Sequence, residues 1–183
     1  LVIWCARNEA TPPKYLDDEM RFMIKDLDPT RHYQANSGGG YGFNSGGPYD
    51  WAPPARFSRF MDDTSWKKQE TFKTEIGGVS IPTIESLMSM FPKKDWEGFT
   101  DAWAEHNMCA GGGRKYPRFM TQRYGEIRNF ADFARKAQLM NYETHRAIFE
   151  GRIGRMFEPM EGVLLWMSIP AQPSLIWQSF TYD

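Results

Sequence analysis

Cysteine is scarce in this chain. The two present, Cys5 and Cys109, are too few for a disulfide framework and say little about redox compartment. Cys5 falls in an apolar run that reads as a buried strand, so a small core residue is expected there rather than half of a Cys5–Cys109 bridge. No run of about eighteen apolar residues occurs, and no membrane span is expected. An excess of one charge is missing too: 22 basic side chains face 23 acidic ones, for a net charge of −1. No basic run is longer than a pair, as at Lys67-Lys68, Lys93-Lys94 and Arg114-Lys115, which argues against a phosphate-backbone surface and a nucleic-acid partner. HExxH, paired histidines and Cys clusters are all absent, so a catalytic metal is not expected. No GxSxG supports a serine nucleophile, and the glycines at 38–40 lack the following Lys-Ser/Thr of a phosphate loop.

Apolar and aromatic residues are plentiful. The hydrophobic fraction is 41%, enough for a sizeable core in one domain of 183 residues. Aromatics reach 15%, which suits either a large core or flat surfaces for sugar rings. Residues 1–5 read as a buried parallel strand with a polar tip at Arg7, Asn8 and Glu9. Thr11-Pro12 is expected to cap and open a helix whose stripe is Leu16, Met20, Met23, Ile24 and Leu27. Residues 32–36 read as a second strand and 37–54 as a loop rich in glycine and aromatics. Residues 70–76 read as another strand. A helix follows from Pro82-Thr83, with Ile84, Leu87, Met88 and Phe91 on one face. A long helix is expected over 126–149, with Ile127, Phe130, Ala134, Ala137 and Ile148 as its stripe. Asn141 interrupts that stripe and Met140 lies to one side, while Gly151 and Gly154 blur its end. Residues 162–168 read as a last buried strand.

Strands alternating with helices argue for α/β with a parallel sheet. Polar residues at strand ends favour a (β/α) barrel over a doubly wound sheet, since no dinucleotide fingerprint is present. Glu9 and Glu75 each sit just past such a run. Two strand-end carboxylates can face each other across a barrel mouth, as glycoside hydrolysis requires, one protonated and one ionised. At this level Glu70, Glu105, Asp50 and Asp101 compete with them, and most carboxylates are solvated surface. Asn8 suits a sugar hydroxyl or a local loop hydrogen bond, and Trp166 suits a subsite floor or a core. A non-catalytic carbohydrate-binding module is the rival reading, and the long helix argues against it. The chain opens inside a strand without an initiator Met or a charged leader, and it ends abruptly. A segment of something longer is expected.

Residues 4–9 (WCARNE) resemble the Asn-Glu acid/base signature of glycoside hydrolase family 2, and 71–77 (TFKTEIG) with 80–86 (SIPTIES) are similar to its nucleophile region. Residues 47–51 (GPYDW), 131–138 (ADFARKAQ), 141–146 (NYETHR), 162–167 (GVLLWM) and 173–178 (PSLIWQ) resemble the exo-β-glucosaminidase and β-mannosidase branch more narrowly. The resemblance implies a (β/α)8 TIM barrel of which residues 1–183 are the C-terminal part, about strands four to eight. The sixth strand would lie near 47–51. It implies a retaining mechanism with Glu9 as acid/base and Glu75 as nucleophile, and needs no cofactor. Asn8, Tyr49, Asp50, Trp51, His106, Trp166 and Trp177 would line the carbohydrate substrate pocket. The partners implied are the rest of the barrel and flanking β-sandwich domains, without which the segment is expected to fold poorly. A secreted or periplasmic setting is slightly favoured. A β-galactosidase or β-glucuronidase of the same family would share the carboxylates and differ in pocket residues.

Overall fold

Short apolar runs ending in polar tips do form strands here, and in the computed structural model every strand pairing among the described residues is parallel. The structure describes residues 3–38, 43–62 (59–62 as backbone only), 71–158 and 160–179. β1 (Ile3–Cys5) pairs with β2 (His32–Gln34), Ile3 opposite His32. β3 (Phe43–Asn44), β4 (Phe72–Ile76) and β5 (Gly162–Leu165) form a second sheet in that order. The two sheets are stitched where β2 and β3 end. The Ser45 N–H donates to the Ser37 carbonyl at 2.6 Å, and the Gln34 amide donates to the Phe43 carbonyl at 2.8 Å.

Parallel neighbours need crossovers. α1 (Lys14–Leu27) links β1 to β2, and α2 (Pro54–Asp62) follows β3. Between β4 and β5 come α3 (Ile84–Met90), α4 (Asp101–Glu105), α5 (Tyr116–Tyr124) and α6 (Phe130–Ile153). The result is a mixed α/β arrangement whose described strands form an open row rather than a closed ring.

Several expectations shift. Of the first strand, residues 1 and 2 lie outside the described residues, and Trp4 and Cys5 are exposed rather than buried. Among the described residues β1 has a neighbour on one side only. Cys109 is exposed as well and both thiols are free, so no bridge joins them. α1 starts at Lys14, because the Thr11 hydroxyl accepts from the Asn36 amide at 3.0 Å instead of capping the helix. None of its side chains is buried, and Leu27 is 77% exposed.

Residues 47–51, expected to hold a strand, are instead the loop beyond the end of β3 at Phe43–Asn44. α2 was hidden in sequence by Pro53-Pro54. Pro54 occupies the first helical position, where a missing N–H costs nothing. β4 begins at Phe72, with Glu70 outside the described residues. β5 stops at Leu165, short of Ser168, and its Leu164 is 53% exposed. In α3, Met88 points outward at 41% exposure while Leu87 and Phe91 are buried.

α6 begins at Phe130, where the Asn129 side chain caps it by accepting from the Asp132 N–H at 2.9 Å. Met140 is fully buried rather than lateral. The polar break at Asn141 has a purpose: its amide accepts from the Ile81 N–H at 3.2 Å and donates to the Ile81 carbonyl at 2.7 Å. It thereby satisfies a strandless backbone segment inside the core. The main cluster gathers Val79, Ile81, Leu87 and Phe91 with Trp103, Tyr116, Met120, Phe133, Met140 and Ile176. Phe91 stacks on Trp103 at 5.3 Å, and Trp96 on Phe130 at 5.6 Å. Much of the aromatic wealth is therefore core.

α6 runs on through Gly151, the glycine that blurred its end in sequence. A Cβ there would sit 2.5 Å from the Phe57 carbonyl, because α2 crosses α6 at this point. Phe57 and Ile148 are fully buried beside it. Gly151→Ala is expected to push the two helices apart and destabilise the fold by about 1–3 kcal/mol, read as a lowered denaturant midpoint. An unchanged midpoint would mean that α2 is loosely held.

Candidate active site

Two chain turns place the carboxylates. At the end of β1 the backbone bends sharply and Glu9 takes φ 52, the left-handed region that costs a non-glycine residue energy. Its N–H donates to Ser37 Oγ at 3.0 Å, and the Ser37 N–H donates to the Arg7 carbonyl at 3.1 Å. Gly38 passes so close that a Cβ on it would lie 2.9 Å from Glu9 Cα. The end of β2 thus grips the bend.

At β4 the pairing moves from Lys73 opposite Val163 to Ile76 opposite Leu165, so β4 carries one more residue than β5 over that stretch. Such a bulge re-aims side chains at a strand end. Here it holds Thr74 and Glu75, and leaves Glu75 half-buried while Ile76 enters the core. Gly77 follows at a very close approach. A Cβ there would be 2.0 Å from the Trp166 carbonyl, and its N–H donates to the Pro48 carbonyl at 2.9 Å. Only glycine lets the ends of β4 and β5 and the loop after β3 meet so tightly.

Tyr49, from that loop, joins the two carboxylates. Its hydroxyl donates to Glu75 Oε2 at 2.8 Å and lies 3.4 Å from Glu9 Oε1. Burial first, and then the hydrogen bond to Glu75 and the charges of Glu75 and Glu9, push the phenol well above its ordinary range. Tyr49 therefore stays a neutral donor at any working pH. A phenol has one proton to give. With that proton on Glu75, the longer contact to Glu9 is the weaker of the two. Both carboxylates thus reach one hydroxyl and face a common point.

The wall behind Tyr49 is aromatic. Its ring meets Trp166 edge-on at 5.1 Å, and Trp166 meets Trp177 at 4.7 Å. The Trp177 indole N–H donates to the Tyr49 carbonyl at 3.0 Å. Gly111 makes room for that indole, since a Cβ on it would lie 2.1 Å from the ring. Exposed Asp50 sits beside Tyr49, with its carboxyl against Gly112.

Glu9, Glu75, Tyr49, Asp50, Trp166 and Trp177 are thus brought together, with Asn8 adjoining. Trp51 faces the core instead, stacked on Phe119 at 4.7 Å. His106 contacts the Pro173 carbonyl through Nδ1 at 2.9 Å and the Phe91 ring edge-on, with no contact to either carboxylate among the described residues. Glu105 and Asp101 lie on α4 at the surface, and Glu70 is outside the described residues. Sequence reasoning missed Ser37, Ser45 and Lys73. All three are buried, and Lys73 donates to Asn44 Oδ1 at 2.8 Å. A polar residue at a strand end was the available signal for Ser37. Among the described residues no group of His, Cys, Asp and Glu is arranged to hold a metal, and no helix is long and apolar enough to cross a membrane. A hollow of about 440 Å³ beside α6, lined by Gln138, His145 and Arg146 among others, is separate from the carboxylates.

No family model matches the chain. It is 33% identical over 154 residues to an exo-β-D-glucosaminidase of Arthroderma benhamiae, a match covering 77% of this chain and 17% of that protein. To a mannosylglycoprotein endo-β-mannosidase of Lilium longiflorum it is 26% identical over 213 residues, covering 91% of this chain and 22% of that one. The crystal structure of an exo-chitosanase of Amycolatopsis orientalis superposes with a TM-score of 0.73 at 23% identity, over 98% of this chain and 23% of the other. The chain therefore spans less than a quarter of each of these proteins, and its mixed α/β fold matches a small part of a larger, barrel-containing structure. At 23–33% identity over most of its length, the chain bears a family-level resemblance to the exo-β-D-glucosaminidase and β-mannosidase homologues of glycoside hydrolase family 2.

Proposed function

We propose that this chain carries the catalytic pair of a retaining glycoside hydrolase acting on terminal β-glycosidic bonds, of the exo-β-glucosaminidase or β-mannosidase type. One observation carries the reading: a single Tyr49 hydroxyl lies within 2.8 Å of Glu75 and 3.4 Å of Glu9. Two carboxylates that reach one hydroxyl can flank the same glycosidic bond, and the resemblance supports the retaining form, in which the second carboxylate acts as nucleophile.

In the first step Glu75 Oε attacks the anomeric carbon. The bond to the leaving oxygen breaks, and that oxygen takes the proton of Glu9. Tyr49 holds Glu75 in line through its remaining proton. In the second step Glu9, now a carboxylate, takes a proton from water. The hydroxide so formed attacks the anomeric carbon and releases Glu75. The Trp166 and Trp177 wall offers flat faces to the sugar, and Asn8 faces the substituent on the neighbouring ring carbon. No cofactor enters either step. Residues 1–183 are read as the C-terminal part of the catalytic barrel. The exposed apolar side chains of β1 and α1, Trp4, Met23 and Leu27, suit contact with the barrel's remaining strands and helices.

Three variants of the full-length protein test this on a panel of aryl β-glycosides. Glu75→Gln is expected to abolish turnover on every member. Glu9→Gln is expected to lower kcat by about 10²–10⁴-fold on substrates with poor leaving groups. Azide, which needs no general base, should restore its turnover of activated substrates and yield a glycosyl azide of retained configuration. An azide product of inverted configuration would overturn the assignment of Glu75 as nucleophile. Tyr49→Phe keeps the ring against Trp166 and removes the proton, and kcat/KM is expected to fall by about 10–100-fold, equivalent to one charge-assisted hydrogen bond. Activity equal to the parent would show that Tyr49 is only packing.

A further inference from the structure

We infer that Ser37 fixes the rotation of the Asn8 amide, and that this makes the site selective for sugars bearing a hydroxyl, rather than an ammonium, on the carbon next to the anomeric centre. The inference rests on the reading of Glu9 and Glu75 above and narrows its substrate class.

The argument is a count of protons. Ser45 is 0% exposed, and among the described residues its hydroxyl has one partner, Ser37 Oγ at 3.3 Å. A hydroxyl carries one proton and two lone pairs. Buried, Ser45 must place its proton on Ser37 or leave it without an acceptor, which is costly. Ser37 is buried as well, and its other lone pair is taken by the Glu9 N–H at 3.0 Å. Its own proton is therefore left for Asn8 Oδ1, which lies 2.8 Å away, closer than Ser45. Were the chain reversed, with Asn8 donating to Ser37 and Ser37 to Ser45, the Ser45 proton would have nowhere to go.

The chain thus runs Ser45 to Ser37 to Asn8, and it has one polarity. Asn8 must turn its carbonyl oxygen inward. Its –NH2 edge is left outward beside Glu9, exposed and without a partner among the described residues. That edge offers two donors and no acceptor. A hydroxyl oxygen on the substrate accepts from it. A charged amine, with three donors of its own, finds no acceptor there and meets like polarity. Sites built to pair with a particular polar group discriminate strongly against a ligand that cannot complete the pair. Ser37 is thereby a positioning residue. It holds the Glu9 bend through the backbone and sets selectivity through Asn8, without touching the sugar.

The test compares kcat/KM of the full-length protein for 4-nitrophenyl β-glucoside and β-mannoside with that for the β-glucosaminide, at a pH where the amine is charged. Wild type is expected to favour a 2-hydroxy glycoside by about tenfold or more. Ser37→Ala frees the amide to rotate and should shrink that ratio by about tenfold, whereas Ser37→Thr keeps the hydroxyl and should keep the ratio. Thermal unfolding of each variant reports whether it folds, and a general loss of packing would lower all rates without moving the ratio. Wild-type preference for the glucosaminide, or a ratio unmoved in Ser37→Ala, overturns the inference while leaving the catalytic pair intact. Turnover that persists in Glu75→Gln overturns the reading of the pair instead, and no turnover of any glycoside overturns both.

Discussion

One phenolic proton lies between two carboxylates, and much of this part of the fold serves to bring the three groups together. Tyr49 reaches Glu75 at 2.8 Å and Glu9 at 3.4 Å, although the three come from the ends of β1 and β4 and the loop after β3. Two negative charges at that distance repel, and a single proton can serve only one of them. The arrangement is thus unsymmetrical by construction, with the shorter contact made to Glu75. Such a difference between the two carboxylates suits the proposed two-step displacement, which needs one acid and one nucleophile.

Close backbone approach is the device that makes the convergence possible. Gly77 lets β4 lie against the Trp166 carbonyl, Gly38 lets the end of β2 grip Glu9, and Gly111 lets Trp177 settle behind Tyr49. Away from the site the same device joins α2 to α6 at Gly151. Where backbone has no ladder partner, side chains stand in, as Asn141 does for both polar groups of Ile81. Strain is accepted at one carboxylate, in the left-handed bend at Glu9, and a bulge turns the other. Such local costs persist where surrounding contacts hold them.

Periodicity located α1, α3, α6 and the strands β1, β2, β4 and β5, because burial of one face is a local property of a run of residues, and it gave no sign of the short helices α4 and α5. It failed at α2, where paired prolines read as loop although Pro54 begins a helix, and at β3, which is only two residues long. It overestimated burial at Cys5, Met23 and Leu164, since an apolar run does not say whether anything covers it. Trp51 and His106 illustrate the converse. Both residue types suit a sugar site, but one is stacked on Phe119 and the other is held by the Pro173 carbonyl.

The amino-acid sequence by itself determined the alternation of strands and helices, and it set polar residues at the strand tips. It also held the motifs around Glu9 and Glu75 that resemble one family of hydrolases. Each of these depends on residues within a few positions of one another. Only the tertiary structure decided that Tyr49 spans both carboxylates, that a bulge turns Glu75, and that Ser45 and Ser37 orient Asn8. Those contacts join segments far apart in the chain. Their geometry depends on angstrom-scale approaches and on where single protons must go, and no local pattern of residues encodes either.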